Sequence, residues 1–342
     1  MSSLDLWDYD LPDDRIARYP ADRRDGSRLM HLPRSGTGSA HLRFGDLAEL
    51  LREGDLLVGN DTRVLAARLR GTRPTGGKAE LLVLEVGEGP VRALARPAKK
   101  LRPGTRIALD GGGFATIEGP AEAPGEVRVS FDAPVLDVLE RAGEMPLPPY
   151  LGRGAEEADR TRYQTVYARD PGSAAAPTAG LHFTRELLDD LDRAGIGFAT
   201  VTLHVGLGTF RPLTDEDVAR GSLHAEPWTV PEATAAAIAQ TRERGGRVIA
   251  VGTTSARTLE AATPRDGSRV PRVGSDTTTL FVRPPYDFAC VDGLITNFHL
   301  PRSSLLMLVA SLCSRERLLA AYADAVDRGY RFYSYGDAML LL

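Results

Sequence analysis

The stretch Phe198-Ala-Thr-Val-Thr-Leu-His204-Val-Gly-Leu-Gly-Thr-Phe210 decides the fold. Its first six residues are apolar or β-branched, the pattern of a strand inside a parallel sheet with both faces covered. Upstream, Thr184 to Ala194 carries Leu187, Leu188 and Leu191 on one helical face and stops at Gly195. Before that helix lies a polar loop, Pro177 to Phe183, with a second histidine, His182. A helix feeding a buried strand is an α/β unit. In open α/β sheets ligands sit beyond the carboxyl ends of the strands, which is where His204, Gly206, Gly208 and Thr209 fall. One Gly-x-Gly is weak evidence, and such a loop is equally a tight connection with a capping histidine.

Three further strands end the same way. Asp55-Leu-Leu-Val runs into Gly59-Asn-Asp-Thr-Arg63, Arg247-Val-Ile-Ala-Val251 into Gly252-Thr-Thr-Ser-Ala-Arg257, and a strand over 293–296 into Asn297-Phe-His-Leu-Pro301. If the sheet is parallel, all four polar tips share one edge. The spacing also predicts a strand over 28–32, a short helix over 44–51 and helices over 232–244, 304–313 and 315–328. A last strand is expected near 330–335.

Between Val64 and about Glu140 the texture changes. Short β-prone runs recur about every ten residues, divided by Gly and Pro, the pattern of a small all-β barrel or sandwich. The expected architecture is therefore a main α/β domain with a largely parallel sheet, residues 1–62 together with 150–342, and an inserted β-barrel, residues 63–149. The Pro-rich run 145–151 reads as the return linker or hinge.

Composition excludes several classes. The chain has 342 residues, 42% hydrophobic and 26% charged, enough apolar material for real cores and no general disorder signature. No secretory signal and no apolar run of membrane-spanning length is present, so a cytoplasmic protein is expected. Cys290 and Cys313 lack metal spacing and read as reduced thiols. Nothing in the sequence suggests an obligate dimer, so a monomer is expected. Net charge is -4, yet from Asn60 to Arg106 eleven Lys and Arg face four Asp and Glu. A basic barrel suits a polyanion, though a short basic run is also an ordinary solvated surface.

No metal is expected, because no histidine has Cys or carboxylate partners at short ligand spacing. The nucleophile elbow, the phosphate-binding loop and the dinucleotide fingerprint are absent from the sequence. What remains is an acid/base site of imidazoles, amides and hydroxyls, suited to proton transfers near neutral pH. His182, His204, His224 and His299 fall in motif-like loops, whereas His31 and His41 flank an unremarkable turn.

The strings 176–183, 201–210, 251–255, 296–301 and 335–339, together with 57–63, Gly76-Gly-Lys78, Arg96-Pro-Ala-Lys-Lys100 and Met145-Pro-Leu-Pro-Pro-Tyr150, resemble the S-adenosylmethionine:tRNA ribosyltransferase-isomerase family of queuosine biosynthesis (QueA). The resemblance spans essentially the whole chain. It implies an α/β domain with an inserted barrel. It also implies transfer and isomerisation of the ribosyl portion of S-adenosylmethionine onto 7-aminomethyl-7-deazaguanine at the tRNA wobble position, giving epoxyqueuosine-tRNA, adenine and methionine.

On that resemblance, His182, His204 and His299 are the proton-transfer candidates, unranked. Thr178, Gly180, Gly206, Gly208, Thr209, Phe210, Gly252, Thr253, Thr254 and Asn297 would hold S-adenosylmethionine. Arg63, Lys78, Arg96, Lys99 and Lys100 would engage the tRNA. The chain departs from the family pattern at Ala66, at Leu223-His-Ala-Glu226 and at Gly274-Ser-Asp-Thr277. Two alternatives stay open: the same fold acting on another acceptor or binding a nucleoside-like molecule without tRNA, and a non-enzymatic RNA-binding protein.

Overall fold

The computed structural model describes residues 3–36, 38–206 and 213–342. Its larger sheet has nine strands. At the centre, Gly197–Leu203, Leu56–Asn60, Val248–Val251 and Gly293–Asn297 lie side by side, all parallel. The last three of these strands are buried at every residue. Helices cover both faces, so no residue of these strands needs to be polar for solvent.

The flanks are mixed. Ala338–Leu341 runs antiparallel to Gly293–Asn297, then Arg28–Leu32 returns parallel and Ala40–Arg43 antiparallel. On the other side Ser222–Val230 and Gly274–Leu280 add two antiparallel strands. The sheet is thus parallel in its middle and mixed overall.

The smaller sheet closes on itself. Arg68–Thr72, Lys78–Val83, Val91–Arg96, Glu126–Phe131, Phe114–Pro120 and Arg106–Leu109 pair in that order, all antiparallel, and the last pairs back with the first. Closure leaves no free edge. Alternate residues point inward, as in the exposed-to-buried alternation of Lys78–Val83, and the helix Val135–Ala142 adds Val135, Val138 and Leu139 to the interior.

Several expectations need correction. The final strand is Ala338–Leu341, not 330–335. In 330–335 the alternating aromatics are buried, but Tyr333 has φ +72° and the chain turns tightly at Gly336, so the segment makes one bridge, Phe332 to Ile16. The short helix expected over 44–51 is a 3₁₀ helix and ends earlier, Phe44–Glu49. The run at 145–151 is no free hinge: Met145, Leu147 and Leu151 are buried against Tyr163 and Tyr335. His224 sits on a strand rather than in a loop, whereas His31 and His41 do flank a turn, on the two antiparallel strands either side of it.

Candidate active site at the sheet edge

The four central strands are mutually parallel, so their polar tips meet at one edge. Asn60 clips three elements there. Its amide donates to the Leu203 carbonyl (2.9 Å) and the Thr254 hydroxyl (3.2 Å), while its oxygen accepts from the backbone of Thr62 (3.1 Å) and Leu203 (3.0 Å). The helix Thr253–Ala262 therefore starts beside the histidine strand. Thr178 is half-buried and opens the turn Thr178–His182, whose Ala179 approaches Gly252.

His182 is 4% exposed and held at both ring nitrogens. The Asn297 amide nitrogen donates to the Tyr333 carbonyl (3.1 Å) and faces His182 Nε2 at 3.2 Å. An amide nitrogen can only donate, so Nε2 accepts and the proton sits on Nδ1, bonded to Ser27 Oγ at 2.6 Å. The ring stacks on Phe44 with centroids 4.9 Å apart. Burial pushes its pKa down to about 4, so it is a neutral imidazole at pH 7. Among the described residues the buried Asn297 oxygen has no hydrogen-bond partner.

His204 is half-exposed. Its Nδ1 hydrogen-bonds Thr62 Oγ1 at 2.7 Å, and the ring lies on Gly172, where a Cβ would come within 3.0 Å. Burial lowers its pKa, opposed by the nearby carboxylates of Asp170 and Asp61. Asp61 is itself buried, accepting from Thr202 Oγ1 at 2.7 Å and Arg169 at 2.8 Å. His299 is partly exposed, bonds Thr296 Oγ1 at 2.7 Å and has its pKa lowered by burial. Its backbone is fixed by Tyr9 and Tyr322.

Of the other expected ligand-binding positions, Gly206 is exposed, and no atom of the described residues comes within 4 Å of where its Cβ would stand. Gly208, Thr209 and Phe210 lie outside the described residues. Gly180 has a packing reason: a Cβ there would stand 2.1 Å from the Tyr167 hydroxyl. Thr253 is buried and Thr254 half-buried at the helix start.

Arg63, Lys78, Arg96, Lys99 and Lys100 are all exposed. Lys78 opens one barrel strand and Arg96 closes the next, with Arg96 opposite Glu80, and Lys99 and Lys100 follow in the turn Ala98–Lys100. These four share one end of the barrel. Arg63 stands apart, on the connecting strand Thr62–Val64 that pairs with Asp170–Ser173 beside His204.

Sequence reading missed Ser27, Asp170 and Tyr167, which carry no local signal. Asn60, Asp61 and Thr62 lay inside a quoted strand tip but were not singled out. Among the described residues no group of three or more His, Cys, Asp or Glu is placed to hold a metal ion.

A family model described as "queuosine biosynthesis protein" matches residues 4–341. The chain belongs to that family. Its relatives include proteins named S-adenosylmethionine:tRNA ribosyltransferase-isomerase. One from Gloeobacter violaceus is 54% identical, covering 99% of this chain and 95% of that protein. Another, from Trichlorobacter lovleyi, is 50% identical over 98% of each. A crystal structure of the family, S-adenosylmethionine tRNA ribosyltransferase from Thermotoga maritima, is 37% identical, with TM-score 0.56 over 98% of this chain and 100% of that one.

Proposed function

We propose that this protein is an S-adenosylmethionine:tRNA ribosyltransferase-isomerase. It would move the ribosyl part of S-adenosylmethionine onto 7-aminomethyl-7-deazaguanine in tRNA, giving epoxyqueuosine-tRNA, adenine and methionine. The observation that carries the reading is the full-length identity, about half of all residues, to relatives bearing that name.

The sheet-edge geometry fits the chemistry. The sulfonium acidifies the adjacent 5′ carbon, so the first demand is a neutral base with access to substrate. His204 meets it best: its pKa is lowered, it is half-exposed, and among the described residues its Nε2 has no partner. We assign it the base. His182 is a positioning residue, since both its nitrogens are engaged, and His299 is left as proton donor or acceptor when adenine departs. Thr178, Thr254 and Asn297 would hold S-adenosylmethionine, and Gly206, Gly208, Thr209 and Phe210 are proposed for the same role. Lys78, Arg96, Lys99 and Lys100 would hold tRNA phosphates, as would Arg63 on the strand beside His204.

The barrel core draws only on residues 65–139, which supports two domains divided as 1–62 with 150–342, and 63–149. Among the described residues no helix is long and apolar enough to cross a membrane. We take the protein to be cytoplasmic and monomeric.

The test is incubation with S-adenosylmethionine and tRNA carrying the deazaguanine, followed by mass spectrometry. Adenine, methionine and epoxyqueuosine in the tRNA are expected. Absence of all three with folded protein and correctly modified tRNA would overturn the reading.

A further inference from the structure

Beside His182 the surface opens in two steps. A recess of about 20 Å³ reaches Ser27 and His182, and a basin of about 530 Å³ adjoins it, the two sharing Pro20, Ala21, Arg23 and Arg331. The walls are unusually rich in guanidinium groups. Arg24 and Arg162 line the recess, and Arg28 and Arg43 the basin.

Half of these six cations make no ion pair with a carboxylate among the described residues. Arg24 is fastened by the carbonyls of Leu181 (3.0 Å) and Thr161 (2.7 Å), and Arg162 by those of Ala21 and Asp22. Neither makes an ion pair among the described residues. Burial lowers the Arg24 pKa and the neighbouring Arg162 adds to the shift, while Arg162 Nε is buried without a partner among the described residues. Arg43 donates to the Gly26 carbonyl and also lacks an ion pair among the described residues.

The negative charges facing the basin are fewer. Arg28 (3.2 Å) and Arg331 (3.7 Å) share one carboxylate, Asp337. Arg23, 80% exposed at its side chain, pairs with Asp25 at 2.9 Å, and Asp22 lines the basin. Six guanidinium groups thus face Asp22, Asp25 and Asp337, with Glu186 acting on Arg23 as a fourth carboxylate. Backbone carbonyls fix cations in position but do not neutralise them, so the field of the basin is positive and shaped for an anion.

The rim adds an aromatic face. Tyr19, next to Pro20, is 53% exposed; Arg153 covers one side of its ring at 4.3 Å, and its backbone carbonyl is held by Arg331. Positive groups along a groove with an open aromatic ring beside them are how proteins hold single-stranded nucleic acid. One amino-acid carboxylate would use two of these cations, not six spread over a basin.

We propose that this arginine basin, built by residues 19–28 with Arg43, Arg162 and Arg331, holds the backbone of the RNA loop whose modified base enters the site. The inference rests on the function proposed above and adds a second RNA-binding surface on the α/β part, next to His182 and apart from the barrel lysines.

The test uses full-length protein, binding of the modified tRNA between 50 and 300 mM KCl, and the rim variants Arg23→Ala and Arg43→Ala. Each is expected to weaken binding a few-fold and to reduce the slope of log Kd against log salt by about one. The KM for S-adenosylmethionine and the melting temperature should not move. Arg23→Lys should restore the slope, and Arg244→Ala, at the opposite edge of the sheet, should leave it untouched.

Unchanged tRNA affinity and slope in both rim variants would overturn the basin as an RNA surface while leaving the proposed reaction standing. So would a raised KM for S-adenosylmethionine with unchanged tRNA binding, which would mark the basin as a carboxylate site. Failure of the unaltered protein to bind tRNA at any salt would overturn the proposed function and the inference together.

Discussion

The barrel and the nine-stranded sheet bury their strands differently. In the barrel, Val91–Arg96 and Lys78–Val83 alternate between interior and surface, so every strand keeps an outward row of side chains. In the sheet, Leu56–Asn60, Val248–Val251 and Gly293–Asn297 have no outward row. A strand covered on both faces can present chemistry only where it ends. A closed barrel presents a surface along its length, and that suits contact with a long polyanion. On the proposed function the two parts would divide the labour: histidines and amides at the sheet tips for the chemistry, and for the RNA the basic end of the barrel together with the arginine basin.

The sharpest way to break this division is to remove the proposed base. His204→Ala should lower kcat by about 10²- to 10⁴-fold, the usual worth of a general base, without changing tRNA affinity or melting temperature. A loss smaller than about tenfold would move the role to His299. The acid limb of the pH profile should lie below 6.5, because His204 titrates below the ordinary imidazole value.

Stability should also divide by region. Leu57→Ala, at a fully buried sheet position, should cost about 2–5 kcal/mol in denaturant unfolding, whereas Lys78→Ala on the outer barrel row should stay within about 0.5 kcal/mol. Comparable costs would mean that the two surfaces are not as different as their burial suggests.

Acid should find the α/β part first. His182 titrates near pH 4 when folded and near 6.5 when unfolded, so the unfolded chain binds more protons between those values. Its contribution is present above pH 6.5 and is lost as pH falls toward 4, amounting to about 2 kcal/mol between pH 6.5 and 5. Residues 63–149 contain no histidine. Native-state hydrogen exchange at pH 7 and 5 should therefore show protection falling more in the sheet than in the barrel. Equal losses would sink this account.

The smallest effect expected is on binding alone. Lys99→Glu with Lys100→Glu should weaken tRNA binding several-fold at low salt and flatten its salt dependence, with kcat unchanged at saturating tRNA. A drop in kcat would place these lysines nearer the chemistry than the barrel geometry suggests.

The two periodicities made the regular elements legible. The 3.6-residue spacing of Leu187 and Leu191 located a helix whose cap, Thr184, bonds Leu187. The apolar runs at 56–60 and 248–251 are strands buried at every residue, where cover on both faces demands hydrophobicity, and 197–203 is buried in its last three residues. The aromatic run 330–335 misled for a physical reason. Tyr330, Phe332 and Tyr335 are buried from different directions around a turn, and alternation alone cannot tell that from a strand.

Local sequence determined the strand tips, the basic hairpin end and the residue types available for acid/base work, because each is encoded within about ten neighbouring residues. Only the tertiary structure decided what those residues became. Ser27 meets His182 across 155 positions, Thr62 meets His204 across 142, and Arg28 and Arg331 converge on Asp337. Proton positions and lowered pKa values follow from such partners and from burial, and burial is a property of the packed chain rather than of any stretch of it.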